Sequence, residues 1–481
     1  MGPRWFSTTK GTLVLNDEKI NSSISKNKMG RHAGGDRGGR SFSPPKPGLD
    51  ARIAAAKILA AVVDRKTPLD GMLDAEHGNP AFKALSEADR GLVRAILQSA
   101  LRHLPRIEAI LSSLLDSPLP EGARSLHHLF VVAAAQMLYL DVPDHSAVDL
   151  AVEQATRDPR NKRFAKLVNA VLRRLGREKQ ALLESVSSLP CMPTWFLERL
   201  EAVYGQETAR AISEAQSHPA AIDLTVKNDP ETWAARLNGL VLPTGSIRLA
   251  EFRGAIPLLD GFDEGEWWVQ DAAAAIPAQL LGDVAGQRVA DLCAAPGGKT
   301  AQLIQKGALV TAVEQSENRL ERLKGNLSRL AMKCEFVRAN LLDFRPEEPF
   351  DAILLDAPCS STGTTRRHPD VLWTKGPADI AKLAQLQEKL LRHALTLLRP
   401  GGRIVFSNCS LDPSEGEEVV ARILADRDGY QRAPVRAADW PGLEKAITPL
   451  GEFRTTPAML PAKVGFLGGL DGFYACVICK V

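Results

Sequence analysis

No stretch of the 481-residue chain approaches the ~20 consecutive apolar residues that cross a bilayer, and the N-terminus lacks the compact apolar run of a signal peptide. A cytoplasmic protein without a membrane partner is the expectation. Cysteine is sparse: seven are scattered along the chain, an odd number, which argues against a disulfide framework and leaves single thiols available for chemistry. There is no strong overall charge either. The net is +3, and its excess sits at one end: the first 50 residues carry 9 Lys/Arg against 4 Asp/Glu, the other 431 carry 51 against 53. Two phosphate-binding loops are also missing. A P-loop needs glycine five residues before Gly298-Lys299-Thr300, where Cys293 stands, and Pro296-Gly297-Gly298 does not supply G-x-G-x-x-G.

What is present centres on Asp291–Thr300, DLCAAPGGKT, where the apolar run Arg288–Cys293 breaks into small residues. This reads as a strand, a tight turn and a helix start, with a backbone that a ligand can approach closely and N–H groups that favour polar or anionic groups. The next apolar run, Ala308–Val313, ends at Glu314, the position where this class of fold places an acid against ribose hydroxyls. The combination suits an adenosine cofactor held without a pyrophosphate.

At this length two to four domains are expected. Residues 1–48, rich in Gly, Ser, Lys, Arg and Pro, read as a disordered basic tail; a translation start at or beyond Met29 is the competing reading. Residues 49–185 carry helical periodicity throughout and predict an all-α bundle with Val131–Leu140 at its centre. Arg157–Lys179 holds nine Lys/Arg against Asp158 and Glu178, which is either a footprint for nucleic acid or a solvated helix face. Residues 186–282 read as a small α/β connector, with a helix at Trp195–Tyr204 and short strands near Ile222–Val226 and Ile247–Phe252. Trp267 and Trp268 there are expected to pack in a core rather than stack on a base.

Residues 283–481 alternate strands and helices: Ala308–Glu314, a helix Ser316–Met332, Cys334–Ala339, Phe350–Leu355, a helix Pro377–Leu398, Arg403–Phe406 and a helix after Pro413. Such alternation predicts a mostly parallel, doubly wound α/β sheet that binds ligands at the carboxyl ends of its strands. Two of those ends carry a cysteine, in Asp356-Ala357-Pro358-Cys359-Ser360 and Ser407-Asn408-Cys409-Ser410. A thiolate beside an adenosine cofactor, with a basic flank, suits addition to C6 of a pyrimidine, which turns C5 into an enamine-like carbon able to accept a methyl group. The bland alternative is a pair of buried cysteines acting as small hydrophobes.

DLCAAPGGKT, LLDAPCSSTGTTRRHPDV (Leu354–Val371) and FSNCSLDPSEGEE (Phe406–Glu418) resemble the motifs of the RNA cytosine-C5 methyltransferases. The match is to their ribosomal RNA methyltransferase B branch, and the helical region, including Lys166–Arg173, is similar to the NusB RNA-binding domain. The ending Asp471-Gly472-Phe473-Tyr474 fits too. The resemblance implies a Rossmann-like catalytic domain that uses S-adenosyl-L-methionine, methylates C5 of a cytosine in small-subunit (16S) ribosomal RNA, and works as a monomer without metal. It implies cofactor contacts from Cys293, Ala294, Ala295, Pro296, Gly297, Gly298, Lys299, Glu314, Arg319, Asn340 and Asp356. Cys409 would be the nucleophile, Cys359 the second cysteine, and Lys299 with Asp356 would polarise the base. RNA contacts would come from Arg160, Lys162, Arg163, Arg173, Arg174, Arg366, Arg367 and His368. Asn340 stands where many members have aspartate and Asn408 where threonine is usual. Two other readings stay open: an RNA-binding assembly factor with an incidental enzyme domain, and a Cys476-x-x-Cys479 metal or redox site, though thiols three apart on a strand diverge.

Overall fold

The computed structural model describes residues 46–74, 77–250 and 254–481, and Lys46–Val481 form one compact unit. The basic tail and the Met29 start therefore lie outside the described residues up to position 45, as does the end of the expected Ile247–Phe252 strand. Helices come first. Leu49–Arg65 starts after Gly48 in the left-handed region and ends on Lys66, whose backbone N–H returns to Ala61 O. Glu87–Arg102 is capped by Ser86, which accepts from Asp89 N at 3.1 Å. Arg124–Tyr139 is apolar on nearly every face and runs through the middle, with Leu104–Leu114, Asp144–Arg157 and Ala165–Ser185 packed around it. Each buried Leu, Ile, Val or Phe in this cluster contributes about 1.5–3 kcal/mol through the water it leaves.

The next helix, Thr194–Gln216, is longer than the expected Trp195–Tyr204: it continues beyond a kink at Gly205, whose φ of 78° only glycine adopts without strain. A small antiparallel sheet follows in the order β2-β3-β1-β4: β1 Asp223–Val226, β2 Gly239–Val241, β3 Ile247–Leu249 and β4 Trp267–Val269. The sequence does not mark β4 as a strand. Trp267 and Trp268 are both buried, Trp267 in the core of this small sheet.

The larger sheet has the order β10-β12-β9-β8-β5-β6-β7, with β11 paired to β12. Its strands are β5 Arg288–Leu292, β6 Leu309–Glu314, β7 Glu335–Arg338, β8 Phe350–Asp356, β9 Leu398–Asn408, β10 Tyr430–Arg432, β11 Phe453–Thr455 and β12 Phe473–Lys480. β5 to β9 run parallel, while β10, β11 and β12 pair antiparallel. β9 begins earlier than the Arg403–Phe406 expected of it, because pairing to β8 resumes across the Arg399–Gly402 turn with a shift of register. From β5 the chain winds one way to β6 and β7 and the other way to β8 and β9, so a crevice opens beyond the carboxyl end of β5.

Two segments of that edge are tied to the helices. The segment Arg366–Thr374, which follows the Cys359 loop, is held by the first helices. Arg102 donates to Arg366 O at 2.7 Å, Trp373 Nε1 to Leu101 O at 2.9 Å, and Leu69 N to Asp370 Oδ2 at 3.0 Å. The loop after Cys409 is held by Thr194–Gln216, through Tyr204 Oη to Leu411 O at 2.7 Å and Arg199 Nε to Asp412 Oδ2 at 2.5 Å.

Candidate active site

The turn after β5 follows from its small residues. Cys293 has φ 64° and Gly297 φ 105°, and a Cβ on Gly297 would come within 2.7 Å of Leu323 Cδ1. Ala294 N donates to Val313 O, which pins the turn to β6, and helix Gly298–Gln305 leaves from it. Over this turn lies a cavity of about 400 Å³. Its wall joins Cys293–Lys299 to Asp291, Asp356, Cys409, Arg367 and Phe473, and is closed on the other side by Trp268, Gln270 and Asp271. Most of the cofactor turn and the nucleophile candidate therefore share one chamber.

Lys299 Nζ is 2.8 Å from Asp356 Oδ2 and lies 4.9 Å from the centre of the Phe473 ring, while Ser407 Oγ donates to Asp356 Oδ1 at 3.0 Å. The two thiols meet: Cys359 Sγ and Cys409 Sγ are 3.4 Å apart, with Ser361 Oγ 3.6 Å from Cys409 Sγ. That contact separates their acidities. The hydrogen bond with Cys359 lowers the Cys409 thiol below its ordinary value, helped by Ser361 and opposed by burial and the Asp356 charge. The same hydrogen bond, then burial, pushes Cys359 well up. Cys409 is thus the better placed of the two to carry a thiolate.

Among the other expected contacts, Glu314 ends β6 buried, its Oε1 accepting from Ser316 N at 3.0 Å. Its Oε2 accepts no hydrogen bond and faces the Arg319 guanidinium at 3.5 Å, while Arg319 also donates to Ala295 O. Asn340 is not brought to the cavity wall: its side chain accepts from Leu342 N and donates to Asp343, capping the short turn Leu341–Asp343. Arg366 is a correction. It is 2% exposed, donates to Gly468 O and lies 3.6 Å from both Asp271 and Asp471, so it cannot reach a phosphate at the surface. Its neighbour Arg367 lines the cavity and pairs with Asp471, and His368 pairs with Asp70 at 3.5 Å. Arg160 precedes the short turn Lys162–Phe164, which carries Lys162 and Arg163, and Arg173 and Arg174 lie within Ala165–Ser185. Arg160 pairs with Asp158, Arg174 with Glu178, and Arg163 covers the Phe164 ring at 4.6 Å.

Asp291 is not among the contacts that the resemblance implies, although it opens the central motif. It is 1% exposed, accepts from Thr300 Oγ1 at 2.6 Å through Oδ2, and leaves Oδ1 without a hydrogen bond; burial pushes its carboxyl up to about 7. The free Asp291 Oδ1, on the cavity wall beside a turn with no bulky side chain, fits a ligand that brings hydroxyl or ammonium donors; Glu314 and Arg319, like Asn340, are not among the residues of that wall.

Sheet order, small-residue turn and acidic strand ends together define an S-adenosyl-L-methionine-dependent methyltransferase domain, here preceded by a helical domain of NusB type. The family description "16S rRNA methyltransferase RsmB/F" matches residues 278–476, and "NusB family" matches 49–177. Ribosomal RNA small subunit methyltransferase B of Vibrio vulnificus is 36% identical over 458 residues, covering 90% of this chain and all of that protein. The Klebsiella pneumoniae protein of the same name is 35% identical, covering 79% and 90%. The chain belongs to the ribosomal RNA small subunit methyltransferase B family. Among solved structures, PH0851 covers 90% of this chain and 99% of its own with a TM-score of 0.68 at 20% identity. NSun6 from Pyrococcus horikoshii with SFG covers 60% and 98% with a TM-score of 0.51 at 18% identity. At such identities these two speak for the fold alone.

Proposed function

We propose that this methyltransferase acts on C5 of a cytosine in small-subunit ribosomal RNA, through a covalent bond between Cys409 Sγ and C6 of the base. The observation that carries the reading is the placing of Cys409, with its lowered thiol and Cys359 at 3.4 Å, in the same cavity as the Cys293–Lys299 turn and the Lys299–Asp356 pair. The relatives' name supplies the substrate class.

S-adenosyl-L-methionine, when bound, supplies an electrophilic methyl group. The turn Cys293–Gly298 with Lys299 would hold its methionine part, and Glu314 its ribose hydroxyls. Cys409 thiolate then forms the S–C6 bond, and the displaced electron pair makes C5 nucleophilic. As the S–C6 bond forms, the Lys299–Asp356 pair, fixed by Ser407, would pass a proton to N3, which draws the displaced electrons toward the ring nitrogen, and would take that proton back on elimination, while the Asp356 carboxylate accepts from the cytosine amino group. Once C5 is methylated, a base removes its proton, the C5–C6 double bond re-forms and the thiolate leaves. Cys359, whose thiol keeps its proton, is placed to return a hydrogen bond to the departing Cys409 sulfur. Arg367 and His368, with the basic residues of the helical part, would hold the RNA backbone. Bisulfite mapping of 5-methylcytosine in small-subunit ribosomal RNA, with and without the gene, tests the assignment. The expected result is loss of a methylated cytosine, and an unchanged map would overturn it.

A further inference from the structure

Behind the two cysteines, away from the cavity wall, lies a carboxylate that the proposed chemistry does not touch. Glu415 is 0% exposed and sits in the short turn Pro413–Glu415 after Cys409. Its Oε1 accepts from Ser360 N at 2.8 Å and from Gln387 Nε2 at 3.0 Å. Its Oε2 accepts from Ser410 Oγ at 2.6 Å and from Ser360 Oγ. Ser360 follows Cys359 and Ser410 follows Cys409, so one carboxylate grips the residue after each thiol.

The surrounding bonds extend this grip. Gln387 also donates to Pro358 O at 2.9 Å, on the other side of Cys359. Asn408, before Cys409, donates through its amide to Glu415 O at 2.5 Å and accepts from Ser410 N at 3.0 Å. Thr362 Oγ1 takes the N–H of Leu411 at 3.0 Å, and Gly363 N donates to Cys409 O at 2.9 Å. The unusual Asn408 thus has a use: its amide closes the loop back on the backbone of Glu415. Burial pushes the Glu415 carboxyl above its ordinary value, with the hydrogen bonds from Ser360 and Ser410 acting against that.

We propose that Glu415 is a positioning residue: it locks the Cys359 loop and the Cys409 loop in a fixed register, and so holds the two sulfurs close enough for Cys359 to stabilise a Cys409 thiolate. β8 and β9 pair as far as Asp356 and Ser407; beyond them Ser360 N and Ser360 Oγ tie the Cys359 loop to Glu415 in the Cys409 loop, beside the Thr362–Leu411 and Gly363–Cys409 bonds, while Ser410 Oγ and Gln387 Nε2 hold the carboxylate itself in place. The inference rests on the reading of Cys409 as nucleophile, but its readout does not.

The test uses the full chain and follows alkylation of Cys409 by iodoacetamide against pH, by peptide mass spectrometry, beside methylation kinetics on transcribed small-subunit RNA. In Glu415→Ala the alkylation profile of Cys409 should move to higher pH, because Cys359 no longer donates to it. kcat should fall on the order of 100-fold, the scale of a misplacement near 1 Å, with cofactor affinity unchanged. Glu415→Gln should restore most of both, since its carbonyl can still accept from Ser360 N while its amide donates to two hydroxyls free to rotate. An unshifted profile in a Glu415→Ala chain that binds cofactor normally would overturn the proposal. Should Glu415→Ala fail to fold, the Ser360→Ala/Ser410→Ala double variant, which removes both hydroxyl donors and leaves Ser360 N on Glu415, is read instead: a smaller shift to higher pH supports the register lock and an unshifted profile overturns it. A wild-type chain that forms no RNA adduct through Cys409 would defeat the nucleophile reading alone, because the alkylation profile involves no RNA.

Discussion

The helical part and the catalytic sheet keep their polar groups in different places. Between Leu49 and Ser185 the interior is almost wholly apolar, with Arg52, Ser99, His128, Gln136 and Asn161 as the few buried polar side chains. Around the carboxyl ends of the large sheet the interior holds Asp271, Asp291, Glu314, Arg366, Glu415 and Asp471, all buried. Burying a charge costs several kcal/mol unless it is paired, so such a concentration is not what a fold chooses for stability alone. One region is built for packing and presents its charges outward. The other keeps charges inside, some of them paired there, as Arg366 is with Asp271 and Asp471, and some with an oxygen free of hydrogen bonds, as on Asp291.

The sharpest way to break this comparison is to remove one thiol. Cys409→Ser should abolish both methylation and the covalent RNA adduct, because a serine hydroxyl is scarcely ionised at neutral pH. Cys359→Ser should still add to the base and accumulate a trapped complex, seen as a slow band in denaturing gels. The reverse pattern would move the nucleophile to the β8 loop. Next in size is the pH response of Asp291, whose carboxyl is raised from 3.8 to about 7. An acid raised on folding gives stability that is complete below its unfolded value and is lost as pH rises through its folded one. The cofactor-free protein should therefore lose roughly 2–4 kcal/mol between about pH 4 and pH 7, as read by denaturant unfolding, and Asp291→Asn should flatten that slope. A slope identical to wild type in the variant would show that Asp291 does not carry it.

Glu314→Ala comes third. It should weaken S-adenosyl-L-methionine by about 1–3 kcal/mol in calorimetry, the scale of a hydrogen bond to a charged group, and undiminished affinity would take Glu314 out of the site. The smallest effect on the cavity belongs to the helical part. Arg160, Arg163, Arg173 and Arg174 changed together to Ala should leave cofactor binding alone while weakening RNA binding and flattening its dependence on salt. An unaltered salt slope would make this stretch a solvated face.

Much of the site could be read from the chain because its key residues lie in short, local motifs. The run from Asp291 to Thr300 fixes a turn by its own steric emptiness, and Cys409 sits where an apolar strand ends. What escaped depends on residues distant in sequence. Arg366 and Arg367 are adjacent and alike and both face Asp471, yet Arg366 is sealed between Asp271 and Asp471 while Arg367 lines the cavity. Glu415 lies among Glu417 and Glu418 in what looks like an acidic helix start, and only the arrival of Ser360 from another strand distinguishes it. Asn340 has partners close by in sequence, Leu342 N and Asp343, which its position alone did not announce. β4 escaped because a three-residue strand has no period to detect, and pairing with β1 alone makes it one.

The contacts from Arg102, Leu69 and Leu101 to the Arg366–Thr374 segment carry a thermodynamic consequence. Arg367 stands on that segment and on the cavity wall at once. If seating RNA against the helices stiffens this segment, the affinity gained by a base entering the cavity must equal the affinity the base lends back to the helices, since coupling between two sites is reciprocal. Recognition at one end of the chain and acceptance of a base at the other are then one equilibrium measured at two places.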